Sequence, residues 1–308
     1  MPDLQTDLLE LTKQAGVVGA GGGGFPTYKK LESPVETIIV NGAECEPLLY
    51  VDQELMVAAA GTLVATLQTL MKTKKAKRGV IALKRKYEAA WQALTQLTRD
   101  TKVELYPLPN VYPVGDEHVL VQEVLGKVIP PGGIPVMVNC LVLNIETLFN
   151  IAKALQAEPV TEKYVTVIGE VAQPGTYRFP VGTSYKDILS YVKPTVQDYV
   201  LLSGGPMMGA LVDDSAVVTK VTGGIVVLPA HHILARKKAV ELNKRWNRVF
   251  GGCCQCRMCT DFCPRYLLGH NLRPHLAMRL LATAYHREED LESAFLCSEC
   301  GLCDLFVC

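Results

Sequence analysis

The chain has no run of about 18 uncharged apolar residues, the length a membrane-spanning helix needs. The nearest candidate, VTGGIVVLPAHHIL at 221–234, is shorter, is broken by Gly and Pro, and reads as a buried strand or turn. A secretory leader is also missing: MPDLQTDLLELTKQAG contains acids and no long apolar core. Net charge is zero, with 31 Lys and Arg against 31 Asp and Glu, so no overall field draws the chain to nucleic acid or to an anionic membrane. Aromatics are sparse, and the residues flanking the cysteines lack the interleaved rings and dense basic charge of single-strand binders. No segment is of low complexity. What is present is a chain of 308 residues, 49% of them hydrophobic, enough for two or three domains with cores of their own.

Cysteine is plentiful but concentrated. Nine of the eleven lie within residues 253–308, and eight of these fall into two spaced runs. Cys253, Cys256, Cys259 and Cys263 form C-x2-C-x2-C-x3-C, closed by Pro264; Cys297, Cys300, Cys303 and Cys308 form C-x2-C-x2-C-x4-C. The first run is that of two-cluster ferredoxins, in which the fourth cysteine ligates the other cluster. This predicts two [4Fe–4S] clusters, one on Cys253, Cys256, Cys259 and Cys308, the other on Cys297, Cys300, Cys303 and Cys263. A pair of structural zinc knuckles is the competing reading, but one zinc site needs only four ligands. A disulfide framework would need a secreted context that nothing else suggests. Cys254 and Cys140 have no ligand spacing and are expected to be structural. The chain ends at Cys308, itself a predicted ligand, so a truncated C-terminus is expected.

Along the chain, Leu4, Leu8, Leu11 and Ala15 predict a short helix over 4–15. TIIVNGAE at 37–44, GVIAL at 79–83 and VELYPL at 103–108 read as strands, with helices over 52–72 and 86–99 between them. VMVNCLVL and a helix near 146–156 follow. The alternation predicts a parallel sheet with crossover helices. After Pro159 the pattern changes: residues 165–192 read strand, Pro-Gly turn, strand, turn, helix, and GGPMMGALV at 204–212 leads to further strands. A basic helix over 233–250 reaches the cysteines, and 274–294 reads as an amphipathic helix. His231 and His232 read as a turn rather than a metal pair. Three units are expected: 1–158, 159–230 and 231–308.

GAGGGGFPTYKK carries Gly19 and Gly21 to Gly24, including Gly22 and Gly24, five glycines in six residues that let backbone amides approach an anion. It is neither a Walker loop nor a dinucleotide fingerprint. It is followed in order by NGAECEP at 41–47, YPVGDE at 112–117 and LNIETL at 143–148. This series resembles the flavin-binding subunit of respiratory complex I, and more closely the C subunit of the Rnf electron-transport complex and the cobalamin reductases of propanediol utilisation. NGAECEP, with Ala43 and Cys45, follows the Rnf-like branch. A start almost at the glycine loop, together with HNLRPHLAMR at 270–279, points to the cobalamin-reductase branch. Residues 167–189 resemble the soluble-ligand-binding β-grasp domain of the same proteins. The likeness covers about residues 16–308.

The resemblance implies an α/β flavin domain, a small β-grasp domain and an α-helical two-cluster module. It implies FMN held by Gly19, Gly21, Gly22, Gly24, Lys30, Asn41 and Asn144, with Glu44, Glu46 and Glu117 shaping the flavin and nicotinamide pocket. NADH would supply electrons through FMN and two [4Fe–4S] clusters to cobalamin or a corrinoid-handling enzyme. The location implied is cytoplasmic, inside a bacterial microcompartment, with its shell or an adenosyltransferase as contacts. An Rnf-type conduit is the alternative from the same chemistry. A non-catalytic iron–sulfur scaffold is the alternative from another class.

Overall fold

The computed structural model describes residues 4–282 and 292–305. The first part of the chain runs α1 (Leu4–Gln14), α2 (Thr27–Glu32), β1 (Thr37–Gly42), α3 (Val51–Ala58), α4 (Ala60–Lys74), β2 (Arg78–Lys84), α5 (Glu88–Thr98), β3 (Val103–Leu108), α6 (Glu117–Leu125), β4 (Cys140–Asn144) and α7 (Ile145–Ala154). The four strands form a parallel sheet in the order β3-β2-β1-β4. Alternate residues of a strand point to opposite faces, so a sheet covered on both sides reads as an unbroken apolar run. Ile38, Val40, Ile81, Leu83, Leu141 and Leu143 pack with residues of α3, α4, α5 and α7. Ile39, Val80, Ala82 and Val142 pack on the other face with Leu120, Val121 and Val124 of α6.

Two elements depart from the sequence expectation. The single helix expected over 52–72 is two, α3 and α4, which meet at Ala59 and turn by 89°. Ala59 leaves helical geometry, its amide closes α3 on the Leu55 carbonyl, and Gly61 follows in the first turn of α4. The bend brings the start of α3 to the carboxyl end of the sheet. Helix α6 is an addition to the expected elements, although Asp116 caps its first turn by accepting the amides of His118 and Val119 and Gly126 ends it with a left-handed turn. Among the described residues no single helix is long and apolar enough to cross a membrane.

The second part runs β5 (Glu162–Gly169), β6 (Gly175–Pro180), α8 (Tyr185–Val192), β7 (Tyr199–Ser203), β8 (Ala210–Val212) and β9 (Gly224–Pro229). They make a five-stranded mixed sheet in the order β6-β5-β9-β7-β8, with only β5 and β9 parallel. Val165, Val167, Leu201, Ile225 and Val227 pack on Tyr185, Ile188, Leu189 and Val192 of α8. Gly169 has φ +98°, and a side chain there would strike the Val227 carbonyl.

The third part is helical: α9 (Ile233–Lys238), α10 (Leu242–Gly252), α11 (Met258–Asp261), α12 (Pro264–Leu267) and α13 (Pro274–Ala282). The basic helix expected over 233–250 is therefore split. Arg245 donates to the Lys238 and Val240 carbonyls, so the freed end of α9 is satisfied within the chain. His232 caps α9 by accepting the Leu234 amide. Of the helix expected over 274–294, residues 283–291 lie outside the described residues.

Candidate flavin cleft and cysteine groups

A cleft of about 860 Å³ opens at the carboxyl ends of β1 and β4, between the glycine loop, the start of α3 and the turns of the second sheet. Ligands of open parallel sheets bind at that edge, because loops and helix starts converge there. The glycine loop is closed by the Gly19 amide on the Phe25 carbonyl at 2.9 Å and the Gly24 amide on the Gly19 carbonyl at 3.0 Å. The Ala20 amide donates to Thr147 Oγ1 at 2.9 Å, which ties the loop to α7. Gly22 has φ +113°, and nothing lies within 4 Å of where a side chain on Gly22 or Gly23 would sit. That empty shelf is the cradle that an FMN phosphate and ribityl chain need. Thr27, which also lines the cleft, has a buried Oγ1 with no partner among the described residues. Lys30 is beside it, paired with Glu117 at 2.6 Å. The donors and the open glycine surface fit FMN.

The two asparagines expected at the flavin are partly engaged elsewhere. Asn41 donates to the Gly115 carbonyl at 2.8 Å and accepts the Ala43 amide. Asn144 caps α7 by accepting the Glu146 and Thr147 amides and donates to Asp52 at 2.7 Å. Both still line the cleft.

The floor is a buried ionic cluster. Glu44 accepts the amides of Asp52 and Gln53 at the start of α3. Burial pushes its carboxyl up to about 7. Burial, then the charges of Glu44 and Glu146, raise Asp52 well above the usual carboxylate range. Glu146 is raised by burial and opposed by Lys163. Lys163 reaches from β5 to pair with Glu146, both side chains being 2% exposed, and so joins the second sheet to the first unit. Glu46, expected in the pocket, accepts the amides of Met207 and Met208 in the GGPMMG turn. Asp52, Glu146, Lys163, Thr27 and Tyr112 join the site without being expected there from the sequence. Glu146 lies inside LNIETL and Tyr112 inside YPVGDE, so a closer reading of those motifs could find them; Asp52 and Lys163 carry no local signal.

The described cysteines are free thiols. Cys259 is raised by burial and then by the nearby Cys253 and Cys256. Cys263, the fourth of its run, is raised by burial and then by Cys300 and Cys297, of the other run. Cys303 is pushed up to about 11 by burial, then by Cys297, Cys300, Cys259 and Cys263. Cys263 therefore lies within electrostatic reach of thiols of the second run. No three His, Cys, Asp or Glu side chains among the described residues stand close enough to hold one metal ion. A four-iron cube takes its thiolates further apart than one ion does, so clusters are compatible with this spacing. Cys308 lies outside the described residues. Cys140 is fully buried in the sheet core, whereas Cys254, expected to be structural, is exposed and has no packing role.

The cleft and the second cysteine group share a wall. Ser298 and Cys300 line the cleft, and Tyr112 donates its hydroxyl to the Cys300 carbonyl. Gly301 lies so close to Met207 that a side chain would come within 2.8 Å of its carbonyl. Lys238 donates to the Gly209 carbonyl of the same turn at 2.6 Å. The cysteine segment is also pinned to α6: Arg265 pairs with Asp116 at 2.9 Å, and the rings of His118 and His270 meet edge-on at 5.3 Å.

Residues 12–153 match the Nuo51 FMN-binding domain and residues 252–308 the 4Fe-4S dicluster domain. The fold is similar to that of a chain of the NAD+-reducing [NiFe]-hydrogenase in its air-oxidized state, with TM-score 0.67 and 23% identity over 91% of this chain and 57% of that one. A component of the ion-translocating oxidoreductase complex of Vibrio cholerae is 31% identical over 89% of this chain and 36% of its own length. Cobalamin reductase PduS of Citrobacter freundii is 42% identical over 99% of this chain, and that of Salmonella typhimurium 43% over 98%, each covered over 68% of its length. The chain belongs to the cobalamin reductase PduS family.

Proposed function

We propose that the chain is an NADH-dependent electron-transfer flavoprotein whose electrons reduce cobalamin. FMN, when bound, takes a hydride from NADH and releases its electrons one at a time. Gly19, Gly21, Gly22, Gly24, Thr27 and Lys30 hold its phosphate and ribityl chain, with Asn41 and Asn144 fixing the loop edges around it. Glu44 and Glu117 border the nicotinamide side, and Glu46 holds the turn that closes it. Cys263, Cys297, Cys300 and Cys303 hold the cluster nearer the flavin. Cys253, Cys256, Cys259 and Cys308 hold the outer one, from which electrons leave. The units are 1–158 for flavin and nucleotide, 159–230 as a β-grasp spacer, and 231–308 for the clusters. Membership of a cobalamin reductase family supports cob(III)alamin or cob(II)alamin as the acceptor; the location proposed is the cytoplasm or a microcompartment, with a shell protein or an adenosyltransferase as neighbour.

One observation carries this reading: Cys300 belongs to the wall of the same cleft as the glycine loop. The test is anaerobic purification, an optical spectrum, NADH addition, and then cob(III)alamin. Bleaching of flavin and cluster bands followed by reoxidation on adding the corrinoid is expected. Bleaching without corrinoid turnover would assign the chain to an Rnf-type conduit, as its likeness to a component of a translocating complex allows. Bound clusters without flavin would leave a scaffold.

A further inference from the structure

The formal charge of zero conceals a strong polarity. Residues 231–282 contain ten Lys or Arg and two Asp or Glu, whereas residues 283–308 contain one Arg and six Asp or Glu. Four of the ten act inside the molecule: Lys237 pairs with Asp304, Lys238 holds the GGPMMG turn, Arg245 closes the end of α9, and Arg265 pairs with Asp116. Others face water around the outer cysteines. Lys244 and Arg248 are exposed one turn apart on α10, which runs directly into Cys253. Arg257 follows the exposed Cys256, and exposed Arg273 precedes α13, the helix on which α10 and α11 both pack. The segment's two acids only partly offset them: Glu241 is 3.9 Å from Lys244 and Asp261 3.5 Å from Arg257, both pairs at the surface. Within this basic ring, Met258 and Phe262 expose 43% and 48% of their surface beside the buried Thr260. Apolar contacts inside a charged rim are the usual anatomy of a protein–protein contact.

We infer that this face, formed by α10 and the Cys253–Cys259 loop, docks an acidic redox protein, which takes one electron from the outer cluster at each encounter. The inference rests on the proposed function only in taking the outer cysteines as the electron exit. A free corrinoid has no extended acidic surface to match the exposed Lys244, Arg248, Arg257 and Arg273, whereas a protein with an acidic face does. Opposite charge steers such encounters and speeds them about 10–10³-fold at low salt. The cluster is oxidised by one electron, the partner reduced by one, and no bond forms.

The test uses the full chain with its cofactors. Binding of a strongly acidic flavodoxin is measured by calorimetry at about 10 mM and about 1 M salt, with basic cytochrome c as the opposite probe. Flavodoxin should bind at low salt only and cytochrome c at neither. The Lys244→Glu/Arg248→Glu variant should bind flavodoxin at least about tenfold more weakly, while keeping its iron, its NADH bleaching and its reduction of free cob(III)alamin. Lys102→Glu, at an exposed site on the flavin domain, should change nothing. Equal binding by wild type and double variant, an equal loss from Lys102→Glu, or loss of iron in the double variant would overturn the inference. So would preferential binding to phosphatidylserine vesicles abolished by the same substitutions. A protein that docks flavodoxin but is not bleached by NADH would refute the proposed function and leave the docking face intact.

Discussion

At the flavin cleft, the polar groups are held by other parts of the chain: Glu44 by the start of α3, Glu146 by Lys163, Glu46 by the Met207 and Met208 amides. At the cysteine end the helices are short, α11 and α12 having four residues each, and several thiols are exposed. The cleft is therefore shaped by the fold before its cofactor arrives. The cysteine end has few apolar contacts of its own and depends on what the thiols bind. Breaking one contact should damage the two regions differently: in the cleft it costs fold stability, and at the cysteine end it costs a cofactor.

The largest effect on stability should come from Lys163→Ala. It leaves Glu146 buried without its cation, a loss of about 3–5 kcal/mol by chemical denaturation. Replacing both with apolar residues (Lys163→Met with Glu146→Leu) should recover most of it. Equal instability in the single and double variants would show that the pair is not what joins the two sheets. Next is Glu46→Ala, which removes a carboxylate accepting two amides and should cost about 1.5–3 kcal/mol. Its more telling readout is slower cluster reduction at unchanged FMN and iron content, because the 204–209 turn also supports Gly301. Cys259→Ala should cost little in urea stability of the flavin domain but reduce iron from about eight per chain to about four, with FMN retained. Retention of about eight irons would contradict the ligand assignment.

The pH dependence of stability gives a further test. Glu44 is pushed up to about 7 by burial, so the folded protein binds that proton more tightly than the unfolded chain, whose value is near 4.5. Its contribution to stability is full below about 4.5 and is lost as pH rises toward 7. Glu44→Gln should flatten the fall in stability across that window, measured by denaturation at several pH values. An unchanged slope would assign the titration to its partner Asp52.

The parallel strands are legible in the sequence because both of their faces are buried, which leaves an uninterrupted apolar run such as GVIAL. The cysteine runs are legible because ligand spacing is local. The bend at Ala59 is harder to read: apolar periodicity passes through it and only a lone Gly61, two residues on, marks it, so packing of α3 and α4 on different neighbours makes the corner. Helix α6 is legible in principle from Asp116 and Gly126, which bracket it as caps, but YPVGDE has the composition of a loop and masks its start. The ionic floor is invisible for a different reason. Asp52, Glu146 and Lys163 lie far apart in the chain, and only tertiary packing brings them together. Glu46 has the motif position of a pocket acid, whereas the fold uses its carboxylate to hold a turn of the second sheet.

The order of the two cysteine groups relative to the flavin is the central claim. It is tested most directly by comparing Cys300→Ala and Cys259→Ala by electron paramagnetic resonance after anaerobic addition of NADH. In Cys259→Ala the remaining cluster should become reduced. In Cys300→Ala the flavin should bleach while the remaining cluster stays oxidised until dithionite is added. Reduction of the remaining cluster by NADH in both variants, at similar rates, would contradict the order derived from the shared wall.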